Sequence, residues 1–90
     1  MSRKVGADIQ DKDEAVARTI NWAPDLDGAT IVSADWFASG LTNQSETHTT
    51  TVTSVRLAGG VPGQLYKVTC RITTSNGETL EAYFELTIDD

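Results

Sequence analysis

His48 and Cys70 are the residues of this 90-residue chain best suited to nucleophilic or acid–base chemistry. His48 is the only histidine and stands in a polar, Thr-rich stretch that is typical of a solvated strand. Cys70 is the only cysteine and falls in phase with apolar neighbours, so we predict a buried thiol whose pKa is raised and which is inert. Neither residue has a local Cys–His or Ser–His partner that would activate a nucleophile. A single cysteine also excludes an intrachain disulfide, a zinc ribbon and a thiol redox pair.

The aspartates could in principle bind calcium, which prefers carboxylate oxygens. Asp25-x-Asp27-Gly28 resembles part of a calcium loop, and Asp35 and the pair Asp89–Asp90 are further candidates. The further acidic positions and the closing Glu of an EF-hand are missing, so turn carboxylates explain these residues better. Gly59-Gly60-x-x-Gly63 opens no helix and is no phosphate-binding loop. We therefore predict no catalytic residue, no cofactor, no metal site and no enzymatic activity.

The charge balance argues against nucleic acid and membranes as partners. The formal net charge is −6, and the Lys and Arg residues are scattered. A negative field repels phosphate backbones and anionic lipid surfaces. No segment reaches the roughly 18 consecutive apolar residues of a membrane span. The basic start, Met1–Gly6, has no apolar core behind it, so we expect no signal peptide and synthesis in a cytoplasm.

The chain is long enough for one domain. Residues 1–14 are polar and mixed in charge, and we predict a flexible N-terminal arm there, either disordered or ordering on a partner. Residues 15–90 then form the domain.

Alternating apolar residues without a helical period predict strands throughout that domain. The first is predicted over 15–22, ending before Pro24, and the second over 29–37, hydrogen-bonded to the first. A Thr-rich strand over 47–57 is expected at a sheet edge or on a half-solvated face.

The C-terminal part has the clearest pattern of all. An uninterrupted alternation points one set of side chains inward: Tyr66, Val68, Cys70 and Ile72. Asn76-Gly77 suits a tight hairpin turn. The return strand again alternates, with an inward set of Leu80, Ala82, Phe84, Leu86 and Ile88.

Six or seven strands at this spacing predict an all-β, immunoglobulin-like or fibronectin-type-III-like sandwich. Leu57, the Pro62-Gly63 turn and Tyr66 resemble the tyrosine corner of fibronectin type III domains, in which the Tyr hydroxyl satisfies a backbone group. Trp36 is in phase with apolar neighbours and is expected in the core. Trp22 stands beside the Pro24 turn, where it could be a core residue or an exposed aromatic platform.

Two groups of residues resemble small virion proteins of tailed phages, over about residues 12–88. The first group is Lys12-Asp13-x-Ala15-Val16, Ile20-Asn21-Trp22 and Leu26-x-Gly28-x-Thr30-Ile31 with Trp36 following; the second runs from Leu57-x-Gly59-Gly60-x-x-Gly63-x-x-Tyr66 through Val68-Thr69-x-Arg71-Ile72-Thr73-Thr74 to Gly77-x-Thr79. Such proteins are single immunoglobulin-like modules and include fibre–tail adaptor proteins. Glu14 departs from the Pro frequent in the family, and Asn21 departs from an Asp.

The resemblance implies a structural component of a phage virion, made in the bacterial cytoplasm, that joins a tail fibre to the tail by protein–protein docking. Its partners would be tail or fibre proteins, and several copies would sit on a symmetric assembly. The arm and the loops at 23–29, 38–48 and 58–64 are the expected contact surfaces. A capsid decoration protein, docked on the capsid, and a carbohydrate-binding module using Trp22 or another exposed aromatic are the alternatives.

Overall fold

The computed structural model describes residues 3–90, which form seven strands and one short helix. Their bounds in chain order are β1 Arg3–Asp11, β2 Val16–Asn21, α1 Ala23–Leu26, β3 Ile31–Phe37, β4 Thr42–His48, β5 Val52–Ala58, β6 Leu65–Thr74 and β7 Thr79–Asp89. One sheet has the order β1-β7-β6-β3 and the other β2-β5-β4. The pairing of β1 with β7 is parallel, and the other pairings are antiparallel. This confirms the predicted all-β sandwich.

The core lies between the two sheets and is made by inward positions of β2, β3, β5, β6 and β7 together with the α1 segment. Its buried apolar members are Ile20, Trp22, Leu26, Ile31, Val55, Leu57, Val68, Cys70, Ile72, Ala82, Phe84, Leu86 and Ile88. Their burial removes apolar surface from water, which is the main favourable contribution to folding.

The β6–β7 hairpin agrees with the prediction. Its register pairs Val68 with Phe84 and Ile72 with Leu80, so both inward sets face the core together. The Asn76-Gly77 turn closes it, with Gly77 at φ +85°.

The N-terminal segment is not a separate flexible arm over the described residues 3–14. Residues 3–11 form β1, an edge strand of the four-stranded sheet, and only residues 1–2 of the predicted arm lie outside the described residues. The strand forms because the open edge of β7 supplies backbone partners along its length, from Arg3↔Ala82 to Asp11↔Asp89. Its side chains are mostly exposed, which is why its composition resembles that of an arm.

The first two predicted strands exist but do not pair with each other. β2 pairs with β5, and β3 pairs with β6 in the opposite sheet. The turn α1, with Pro24 at its start and buried Leu26 at its end, carries the chain across the core. A register shift between Ile31 and Ser33 turns Val32 outward, where it is 60% exposed instead of sharing the face of Ala34 and Trp36.

The polar stretch 42–48 is a strand, where a loop over 38–48 was expected. All seven residues of β4 are exposed, so this edge strand has no apolar alternation to reveal it. β5 is consequently the central strand of its sheet, with Thr53, Val55 and Leu57 buried, and it is β4 that occupies the edge.

Trp22 occupies the core, one of its two predicted positions, and Trp36 packs at the margin of the core. Trp22 is 1% exposed, and its Nε1–H donates to Thr53 Oγ1 at 2.9 Å inside the core. Trp36 is only partly buried and packs edge-on against Phe84, with ring centroids 6.2 Å apart.

Candidate protein-docking surface

The two residues best suited to nucleophilic or acid–base chemistry, Cys70 and His48, lie in different environments. Cys70 is buried, and burial raises the pKa of its thiol to about 11, so it is held as the unreactive neutral form. Its Sγ lies 3.6 Å from Thr53 Oγ1. His48 is exposed on β4.

The candidate calcium ligands are also not brought together. Asp25 pairs with Arg3, Asp27 is the left-handed C-cap of α1, and Asp35 lies on β3. Asp89–Asp90 stand at the other end of the sandwich, at the end of β7. Among residues 3–90, no three His, Cys, Asp or Glu side chains form a group able to hold a metal ion.

The surface hollows are small and open. One of about 380 Å³ lies beside β1 and β7 and is lined by Arg3, Trp22, Asp25, Thr79, Leu80 and Glu81. Its charged side chains Arg3 and Asp25 bind each other.

The outer face of the four-stranded sheet carries the clearest exposed apolar feature. Thr87 is the register partner of both Ile9 on β1 and Leu65 on β6. These three residues form a row across three strands, which we call the apolar row. Ile9 is 70% exposed and Leu65 58% exposed. Neighbouring strands lie about 4.8 Å apart, so the two apolar side chains are within reach of one partner side chain or ring.

Two basic residues of that face form ion pairs within the chain. Lys4 pairs with Glu85, whose hydrogen bond and charge raise the pKa of the lysine, and Arg71 pairs with Glu81 at 2.9 Å. The remaining lysine, Lys67, lies over the ring of Tyr83, 4.4 Å from its centroid.

The tyrosine corner shapes the loop beside the apolar row. The Val61 N–H donates to Tyr66 Oη at 2.8 Å, which confirms the predicted corner. The backbone of the loop is also tied to β7, through Gly63 N–H to Ile88 O at 2.8 Å. These two hydrogen bonds fix the loop so that the Val61 residue, which is 58% exposed, lies near the start of β6.

A buried polar cluster holds β1 against the second sheet. Gln10 is 1% exposed, and its Nε2 donates to Leu57 O and Glu14 O, each at 3.0 Å. Arg18 on β2 donates to Gln10 Oε1 and pairs with Asp8 at 3.6 Å. This explains why Arg18 interrupts the apolar pattern of β2: it points inward to reach β1.

The sequence could have revealed β1, although it was missed. Val5, Ala7 and Ile9 alternate with Gly6 and Asp8, which is the period of a strand. The outward position of Ile9 could not be derived, because it depends on the parallel register with β7.

No helix among the described residues is long and apolar enough to cross a membrane. The fold and the exposed surface define an immunoglobulin-like β-sandwich of seven strands. It is similar to the titin M3 domain, with a TM-score of 0.60 and 15% identity, covering 98% of this chain and 93% of that one. It is also similar to part of a 2,6-sialyltransferase from a Photobacterium species, with a TM-score of 0.53 and 12% identity, covering 98% of this chain and 18% of that one. Comparison with curated proteins gives no match.

Residues 10–87 match the family described as podophage GP4 fiber-tail adaptor protein gp77, and the chain belongs to this family. It is thus an immunoglobulin-like structural protein of a phage virion, a fibre–tail adaptor.

Proposed function

We propose that the protein joins a tail fibre to the tail as a rigid docking module that performs no catalysis. The observation that carries the proposal is the family match over residues 10–87, on a sandwich whose loops and edge strands stand clear of the core. A packed sandwich is a stiff support, so surface side chains keep the spacing that a complementary partner needs.

The partners are fibre proteins on one side and tail proteins on the other. Several copies stand around the tail, in keeping with the symmetry of such assemblies. The protein is made in the bacterial cytoplasm and incorporated into the virion there. Its net charge of −6 supports partners other than nucleic acid or anionic membrane.

No observation favours the alternatives. A carbohydrate-binding module would need an exposed aromatic platform, and the ring of Trp22 is fully packed in the core. The half-exposed ring of Phe37 has the Arg71 guanidinium over it, 5.3 Å from its centroid. Nothing on the surface of residues 3–90 points to a capsid lattice.

The test is the composition of virions assembled with and without this protein. Particles that lack it should have complete heads and tails but no fibres. In wild-type virions, quantitative mass spectrometry should find tens of copies or fewer. Fibres retained on particles that lack the protein, or hundreds of copies located on the head, would contradict the proposal.

A further inference from the structure

Five of the thirteen Asp and Glu residues lie together at one end of the sandwich, directly beyond the apolar row. Asp11 and Asp89 are register partners on β1 and β7. The residue before each of them, Gln10 or Ile88, is buried, and side chains alternate along a strand, so both aspartates lie on the same outer face as Ile9. With Asp13, Glu14 and Asp90, they form what we call the acidic end.

The negative charge of the acidic end is poorly compensated by the chain itself. Lys12 is the basic residue of this segment, and it pairs with Asp90 at 3.0 Å. The ion pairs within residues 3–90 include none to Asp11, Asp13, Glu14 or Asp89. Like charges on neighbouring strand positions repel, so Asp11 and Asp89 destabilise the isolated fold.

We propose that the apolar row and the acidic end form one docking surface, for a protein partner that presents an apolar centre flanked by Lys or Arg. Two observations fix this chemistry. Ile9 and Leu65 offer exposed apolar area, to which Val61 adds from the neighbouring loop. The uncompensated carboxylates on the same face favour a partner that places positive charge opposite them. A partner without such charge would leave the carboxylates unpaired, and an acidic partner would repel them. Of the cations on the rest of the sheet face, Lys4 and Arg71 are already paired with Glu85 and Glu81, and Lys67 lies over the ring of Tyr83.

This inference rests on the proposed adaptor role, and the partner is the fibre or tail protein that the role requires. The fibre is held only when the protein contacts both fibre and tail. Loss of the contact made by this surface should therefore lower the fibre content of assembled particles.

The decisive variant is Asp89→Lys. It places a lysine beside Asp11, so the thermal midpoint of the isolated chain should rise by about 2–4 °C. The same change opposes a basic partner, so fibre protein per purified particle should fall at least about tenfold when the variant replaces the wild type. A substitution that stabilises the fold and still removes fibres cannot act through misfolding.

Glu78→Lys is the matched control. It makes the same charge change in the β6–β7 turn, roughly 35 Å along β7 from Asp89, and should leave the fibre content unchanged. Leu65→Ser should likewise remove fibres, whereas Val32→Ser, at a comparably exposed valine on β3, should not.

The outcomes separate the two proposals. Normal fibre content with Asp89→Lys and Leu65→Ser, or an equal loss with Glu78→Lys, overturns the docking surface alone. Fibres present on particles that lack the protein altogether overturn the adaptor role together with it.

Discussion

Tyr66 connects the loop between β5 and β6 to the core through a single hydroxyl. Its ring packs against the glycines of two loops, close to Gly40 and Gly60, while its hydroxyl accepts the hydrogen bond from the Val61 N–H. The corner thus fixes both the end of the core and the loop that presents Val61.

Tyr66→Phe should lower the free energy of unfolding by about 1 kcal/mol, because the Val61 N–H loses its partner while the ring stays in place. Urea denaturation followed by tryptophan fluorescence measures it. Tyr83→Phe is the control, since the Tyr83 hydroxyl makes no hydrogen bond within residues 3–90 and its loss should change stability by less than about 0.5 kcal/mol. Equal effects of the two changes would contradict a role for the corner.

Cys70 gives the chain a pH dependence of defined sign. The pKa of its thiol is raised from 9.0 to about 11 in the folded chain, chiefly by burial. The folded state therefore resists deprotonation more than the unfolded state does, and this contribution to stability is complete below pH 9 and falls as the pH rises toward 11. The free energy of unfolding should decline more steeply between pH 9 and pH 11 in the wild type than in Cys70→Ala. Parallel curves would contradict the burial argument.

β1 is held to the sandwich by polar contacts more than by apolar burial. Its buried side chain is that of Gln10, which donates hydrogen bonds to the Leu57 carbonyl on β5 and to the Glu14 carbonyl in the turn after β1. The strand is therefore the element whose stability depends most on one polar residue.

Gln10→Ala should release β1 selectively. Two carbonyl acceptors lose their donor, so we expect a loss of about 1–3 kcal/mol and faster amide hydrogen exchange in β1, with the β6–β7 hairpin still protected. Gln44→Ala, at an exposed position of β4, is the control. Unchanged exchange in β1 after Gln10→Ala would refute the anchoring role.

The β5–β6 loop contains a second, purely steric constraint. Gly60 has φ +95°, and a methyl group there would lie 2.7 Å from Ile88 Cγ1 and 2.8 Å from Leu41 Cδ2. Gly63 has φ +86° but open space around it.

Gly60→Ala should accordingly destabilise the chain by about 1–3 kcal/mol more than Gly63→Ala, because both share the backbone cost and only the first adds a clash. Thermal unfolding of the two variants measures the difference. Equal losses would show that the loop moves freely away from the core.

The elements show where sequence reasoning succeeds. The β6–β7 hairpin was predictable because a strand with one buried face has apolar and polar residues alternating along its sequence. β4 was not, because all its side chains are exposed. β1 has the alternation of a strand in Val5, Ala7 and Ile9, but its buried residue, Gln10, is polar and so does not indicate which face packs against the core. The sheet of β3 was wrongly assigned because the path of α1 across the core depends on tertiary packing of Leu26.

At the scale of the whole molecule, the sandwich separates stability from recognition. The core between the sheets is continuous, whereas the outer-face residues Ile9, Leu65, Asp11 and Asp89 lie toward one end of a body with a longest extent of 42 Å. The absence of a candidate active site was an expectation from the sequence, and the docking surface was not derivable from it. Ile9, Leu65 and Asp89 are distant in the chain, and they come together through the parallel pairing of β1 with β7 and the antiparallel pairing of β6 with β7.

The central claim is that this immunoglobulin-like module stands between fibre and tail. A cryo-EM map of the parent virion tests it most directly. We predict density for one seven-stranded sandwich per fibre attachment point, contacting fibre protein on one side and tail protein on the other. Density for the sandwich on the capsid surface, or a fibre–tail junction that contains no such module, would contradict it.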